Sequence, residues 1–134
     1  MRKFMSVILA AAFLAIGAIA FAASQHGTAD LQSQSASGVT GQAKLNEVQP
    51  GKLNFQSQIR GLDPGAAYRI QWFTNTSCAT EADVKVIESF KANPAGMASV
   101  QATLARNVEE FGSISVVRVS DLTVVACGAV QQTQ

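Results

Sequence analysis

Histidine is nearly absent from this chain: it occurs once in 134 residues, as His26. A single imidazole cannot supply a three-histidine zinc or copper site, and it leaves a Ser-His-Asp triad without a base near any serine in the folded part. Cysteine is scarce too, with Cys78 and Cys127 separated by about fifty residues, so no chelating cysteine pair is present. Charge is low at 14% of residues. Once Arg2 and Lys3 are set aside, eight basic residues face nine acidic ones, which excludes a basic surface for nucleic acid or anionic lipid. The only adjacent acidic pair is Glu109-Glu110. On a strand or loop its side chains would point apart, which suits a solvated surface better than acid–base work.

Long apolar runs are missing except at the start. Arg2 and Lys3 precede an uncharged apolar stretch from Ser6 to about Phe21, which ends at Ala20-Phe21-Ala22. A basic end, an apolar segment and a small-x-small cleavage site are the three parts of a secretory signal peptide, expected over residues 1–22. No cysteine follows closely, so no lipid anchor is expected, and cleavage leaves no membrane anchor. The expected location is secreted or periplasmic. In that oxidising compartment the two cysteines should pair, and the closed loop should stabilise the domain by roughly 4 kcal/mol on the chain-entropy model.

What is present after the signal is β-type patterning with turn residues between the runs. Residues 23–38 form a polar leader with one apolar anchor, Leu31, expected to fray at first and to pair at most as an edge strand. His26 reads there as a solvated tail residue. From Val39 the pattern has period two, with Val39, Gly41, Ala43 and Leu45 on one face. Gln49-Pro50-Gly51 supplies a turn, and Leu53, Phe55 and Ile59 resume the alternation as a hairpin. Asp63-Pro64-Gly65 and Asn93-Pro94-Ala95-Gly96 are further turns, so all three prolines sit between strands. Strands are expected over Tyr68–Phe73, 84–90, 97–104, 114–119 and 122–130. The segment 84–90 also fits a short helix, and 104–111 a helical turn. The fold class is therefore all-β: one domain over residues 39–134, a Greek-key or immunoglobulin-like β-sandwich of seven or eight strands.

Tyr68, Trp72 and Phe73 form the densest aromatic group. Tyr68 and Trp72 read as core beside the disulfide, while Phe73 on the opposite face, with Arg69, is a candidate binding surface. Asn75-Thr76-Ser77 matches the glycosylation acceptor pattern of an exposed loop.

Several fragments, taken in order, resemble the copper/zinc superoxide dismutase family. Gly61-Leu62-Asp63-Pro64-Gly65 looks like the family's Gly-Leu-x-Pro-Gly turn, and Phe73 to Cys78 is similar to the loop carrying its first disulfide cysteine. Asn93 to Ala98 and Ser113 to Val117 are similar to its Asp-Gly-x-Ala turn and penultimate strand, and Ala126-Cys127-Gly128-Ala129-Val130 to its closing strand. The resemblance implies a Greek-key sandwich with a disulfide from a loop to the last strand. It does not carry the family's metals over. Ile70 and Trp72 stand where the His-x-His copper ligands are expected, Arg118 where another copper histidine is expected, and Val124 where the active-site arginine is expected. The zinc loop has no counterpart, because a strand follows Cys78 closely, and the loop that guides superoxide shrinks to little more than Ser120-Asp121.

The expectation is thus a non-enzymatic exported binding or structural module with no cofactor, whose partner is a protein or small molecule. An adhesion or pilus-type subunit that adds its leader strand to a neighbour is a second reading. A metal protein or enzyme whose site is completed by a partner, through His26 or acidic residues, is a third.

Overall fold

The computed structural model describes residues 25–133, so the expected signal peptide at 1–22 lies outside the described residues. Eight strands follow one another: β1 His26–Ser33, β2 Thr40–Gln49, β3 Lys52–Arg60, β4 Ala67–Phe73, β5 Val86–Lys91, β6 Ala98–Leu104, β7 Ser113–Arg118 and β8 Thr123–Thr133. A single 3-10 turn, Val108–Glu110, lies between β6 and β7, within the segment expected to hold a helical turn. The 84–90 segment is extended as β5, not helical, because its backbone pairs with β4 from Ala67↔Lys91 to Gln71↔Val86.

All ladders are antiparallel and join the strands in the order β5-β4-β7-β8-β1-β2-β3-β6. The result is one nearly closed, barrel-like sheet, not two separate ones. Its ends, β5 and β6, lie side by side without a ladder between them. The turns are where Pro and Gly placed them. Gly51, at φ 77°, closes the β2–β3 hairpin in a conformation that side chains resist, which is why Pro50-Gly51 marks it so clearly. Ala66 N donates to Asp63 O across the second turn, and Gly96 N to Asn93 O across the third.

The polar leader is neither frayed nor at an edge. β1 pairs with β2 on one side, from His26↔Asn46 to Leu31↔Gly41, and with β8 on the other, from His26↔Thr133 to Ser33↔Ala126. Its inward residues are small: Gly27 lies under the side chains of Val108 and Val130, and Ala29 is 2% exposed. Only Leu31, at 1%, looks apolar in the sequence. A strand between two others in a tight barrel is selected for smallness as much as for hydrophobicity.

The interior is filled by alternate residues of every strand, including Leu45, Leu53, Phe55, Ile59, Ile70, Ile114 and Val116, each at most 1% exposed. Tyr68 stacks on Phe90 at 5.8 Å and Trp72 on Phe111 at 4.3 Å between ring centroids. The Tyr68 hydroxyl accepts a hydrogen bond from Asp63 N at 3.0 Å, so its one polar atom pins the turn instead of being stranded. Each such side chain contributes about 1.5–3 kcal/mol by leaving water.

Candidate functional site

Two regions could carry function: the loop that follows β4, and the outer face of β1-β2-β3-β6. The loop is built around the Cys78–Cys127 disulfide, which ties it to β8 at a Cα separation of 6.1 Å. Cys78 adopts φ 56°, a left-handed backbone that costs of order 1 kcal/mol in a non-glycine residue. It is held there by its N–H donating to Ser113 Oγ at 3.1 Å, while Ser113 Oγ donates to Asn75 O at 2.7 Å. The disulfide thus lies against β7 and β8, outside the hydrophobic cluster that contains Tyr68 and Trp72.

The disulfide loop changes the expected role of Phe73. Alternation places Phe73 opposite the core, yet it is 6% exposed, and Gln71, Ser113 and Ser115 in the same ladder are also buried. Both faces of β4 and β7 are covered, so the expected exposed surface at Phe73 is not there. Arg69 is half-buried and lies beside Gln71 on the same face of its strand; with the Gln71 carboxamide assigned oxygen toward the guanidinium, Nε and Nη2 donate to it at 2.7 and 2.9 Å. Phe73→Ala should therefore destabilise the fold by about 3 kcal/mol, read as a fall in the chemical-denaturation midpoint.

Other singled-out residues have structural tasks. Asn75 Nδ2 donates to Ala79 O at 2.8 Å and its Oδ1 accepts from Ser77 N and Ala79 N, both at 3.0 Å. The amide of the acceptor pattern is engaged in organising its own loop. Glu81 closes that loop by accepting from Thr74 N at 2.5 Å and Thr74 Oγ1 at 2.7 Å, with Lys85 Nζ 3.9 Å away. The Thr74 hydroxyl, followed by the Thr74 N–H and Lys85, outweighs partial desolvation and holds the Glu81 carboxyl below its ordinary value of 4.5. A depressed folded pKa means that the stabilisation is present above that ordinary value and is lost as pH falls through the lower folded one. Wild type should accordingly lose stability below about pH 4.5 more steeply than Glu81→Gln, measured as denaturation midpoint against pH.

Glu109 is exposed, whereas Glu110 accepts from Asn107 N at 2.7 Å and lies 3.5 Å from Arg106, so the pair is indeed split. Ile70 and Trp72 face the core, and Arg118 reaches Asp121 at 3.2 Å. Among the described residues no three His, Cys, Asp or Glu side chains come together.

The second region was not marked by any motif. Along β1, β2, β3 and β6 most outward positions are amide or hydroxyl residues, and the register sets them in rows across the strands. One row runs Asp30, Gln42, Gln58, Ser99; the next Gln131, Thr28, Lys44, Gln56, Gln101; the third Thr133, His26, Asn46, Asn54, Thr103. His26 is thus part of a strand, with Nδ1 2.7 Å from Asn46 Oδ1.

Three shallow depressions lie on this face. The first, about 410 Å³, has Asp30, Gln42, Thr40, Arg60 and Met97 in its lining. Gly41 also lines it. A Cβ there would run into the Gln58 carbonyl oxygen, so the close approach of β2 to β3 requires glycine. Gln42 Nε2 donates to Asp30 Oδ1 and Arg60 Nε to Thr40 Oγ1, each at 3.3 Å. The second depression is lined by Asn46, Asn54, Gln56, Gln101 and Thr103, and the third by Gln42, Lys44, Gln56, Gln58, Ser99 and Gln101. In sequence these residues read as ordinary solvated strand positions. Only the register aligns them.

Comparison with known proteins adds no relative: no known protein family matches the chain, and no curated protein is similar to it in sequence.

Proposed function

We propose that this chain is an exported binding module that works through its outer surface, not through catalysis, and that its fold is a Greek-key barrel like that of the copper/zinc superoxide dismutases. The observation that carries the reading is the strand order together with the staple. The chain builds β1, β2 and β3 in one half of the barrel, crosses to β4 and β5 in the other, returns for β6, and crosses again for β7 and β8. The disulfide then joins the loop after β4 to the last strand, as the resemblance implies. A staple of this kind suits an oxidising location outside the cytoplasm, and no helix among the described residues is long and apolar enough to cross a membrane.

The non-enzymatic part of the reading rests on what occupies the positions where dismutase chemistry would sit. Ile70 and Trp72 are core residues at 0% and 5% exposure, and Arg118 is paired with Asp121. Purified mature protein offered copper and zinc should retain neither at stoichiometric level and should not accelerate superoxide dismutation. Stoichiometric copper with dismutation would overturn the reading. The strand-donating alternative is disfavoured by β1, which already pairs on both sides and so has no free edge to give.

A further inference from the structure

The outer face of β1-β2-β3-β6 combines three properties. It is crossed by aligned rows of polar side chains, it holds three depressions, and no Phe, Tyr or Trp side chain projects from it. Among the described residues, Thr28, Lys44, Gln56, Gln58 and Gln101 make no side-chain hydrogen bond, so the middle of the face is a block of donors and acceptors unspent within the fold. A protein partner would be expected to seat on a cluster of aromatic or aliphatic anchors, whereas the large exposed apolar side chains here are Val48 near the end of β2 and Met97 just before β6, one at a time. A nucleic acid or an anionic polymer would be expected to meet clustered cations, whereas no row carries two charges of the same sign.

From this we infer that the face is a glycan-binding platform, and that its occupant is a neutral polysaccharide chain laid across the strands. The inference rests on the binding-module reading above and gives it a ligand class. Neighbouring strands are about 4.8 Å apart, comparable to the advance of one sugar along an extended chain, so a row offers one polar side chain per sugar. Amides both donate and accept, which matches hydroxyl groups that do the same. The depression beside Gly41, with both Asp30 and Arg60 in its lining, is the anchor point for one ring, its acid and base able to fix hydroxyl orientation.

The test is native affinity electrophoresis of the intact mature protein in gels containing laminarin, soluble starch, dextran, hydroxyethyl cellulose or galactomannan, with alginate and dextran sulfate as charged controls. At least one neutral polymer should retard the wild type. The double variants Gln42→Ala/Gln58→Ala and Gln56→Ala/Gln101→Ala, whose exposed positions should leave the melting temperature unchanged, should weaken that retardation tenfold or more. Glu88→Ala on β5 should not. Retardation by none of the neutral polymers, by charged polymers only, or equally in wild type and both double variants would overturn the inference. Such a protein, if still exported, oxidised and free of dismutase activity, would leave the module reading standing, so the two failures can be told apart.

Discussion

Removing the staple should cost this protein a large share of its stability: Cys78→Ser/Cys127→Ser is expected to unfold about 4 kcal/mol more easily than wild type. The disulfide closes a sequence separation of 49 residues, and the loop-entropy relation gives that magnitude for a loop of this length. Native domains have only about 5–15 kcal/mol in hand, so the variant should lie near the edge of folding. A second cost adds to it. Without Cys127 nothing covalent holds Cys78 in its left-handed conformation, and the 74–85 loop loses its anchor over β4 and β7. Gln71, Phe73 and Ser115 would then meet water. Equilibrium denaturation of the variant and of wild type with reductant should give the same lowered midpoint. Equal midpoints for oxidised and reduced wild type would show that the loop is held by Ser113 and Glu81 alone.

Deleting residues 25–33 should have a larger effect still, with no cooperative unfolding transition remaining. Among the described residues β1 alone bridges β2 and β8, so its removal opens the barrel at its centre and leaves two long unpaired edges. The deleted chain should be aggregation-prone and should show increased dye binding to exposed apolar surface. Leu31→Ala is the graded version: it removes the largest inward side chain of β1, 1% exposed, and should cost about 3 kcal/mol. A 25–33 deletion that still folded cooperatively would return the leader to the role of a detachable arm.

These two predictions also mark the difference between what could be read in the sequence and what could not. Pro50-Gly51, Pro64-Gly65 and Pro94-Ala95-Gly96 located three turns, because backbone geometry there restricts the residue types. The alternation of Leu53, Phe55 and Ile59 located β3 for the same kind of reason: one face meets the core and one meets water. The central position of β1, expected at most as an edge strand, was not legible because its inward residues are Gly27, Ala29 and Leu31, selected for fit against Val108, Val130 and β2 and so carrying little hydrophobic signal. Phe73 was misplaced because alternation assumes a solvated outer face, and the disulfide loop covers that face. The rows of Gln, Asn and Thr were invisible for a different reason. Each residue is ordinary where it stands, and the alignment arises only when β1, β2, β3 and the remote β6 fall into register.

The account of where the protein works rests on the Cys78–Cys127 disulfide. Intact mass measurement of the chain recovered from the extracytoplasmic fraction, before and after reduction and alkylation, tests that account most directly. It predicts a mature chain beginning at Ala23, lighter by two hydrogen atoms than the reduced form, that takes up alkylating agent at Cys78 and Cys127 only after reduction. A full-length chain retained in the cytoplasm with both thiols free to react would contradict it.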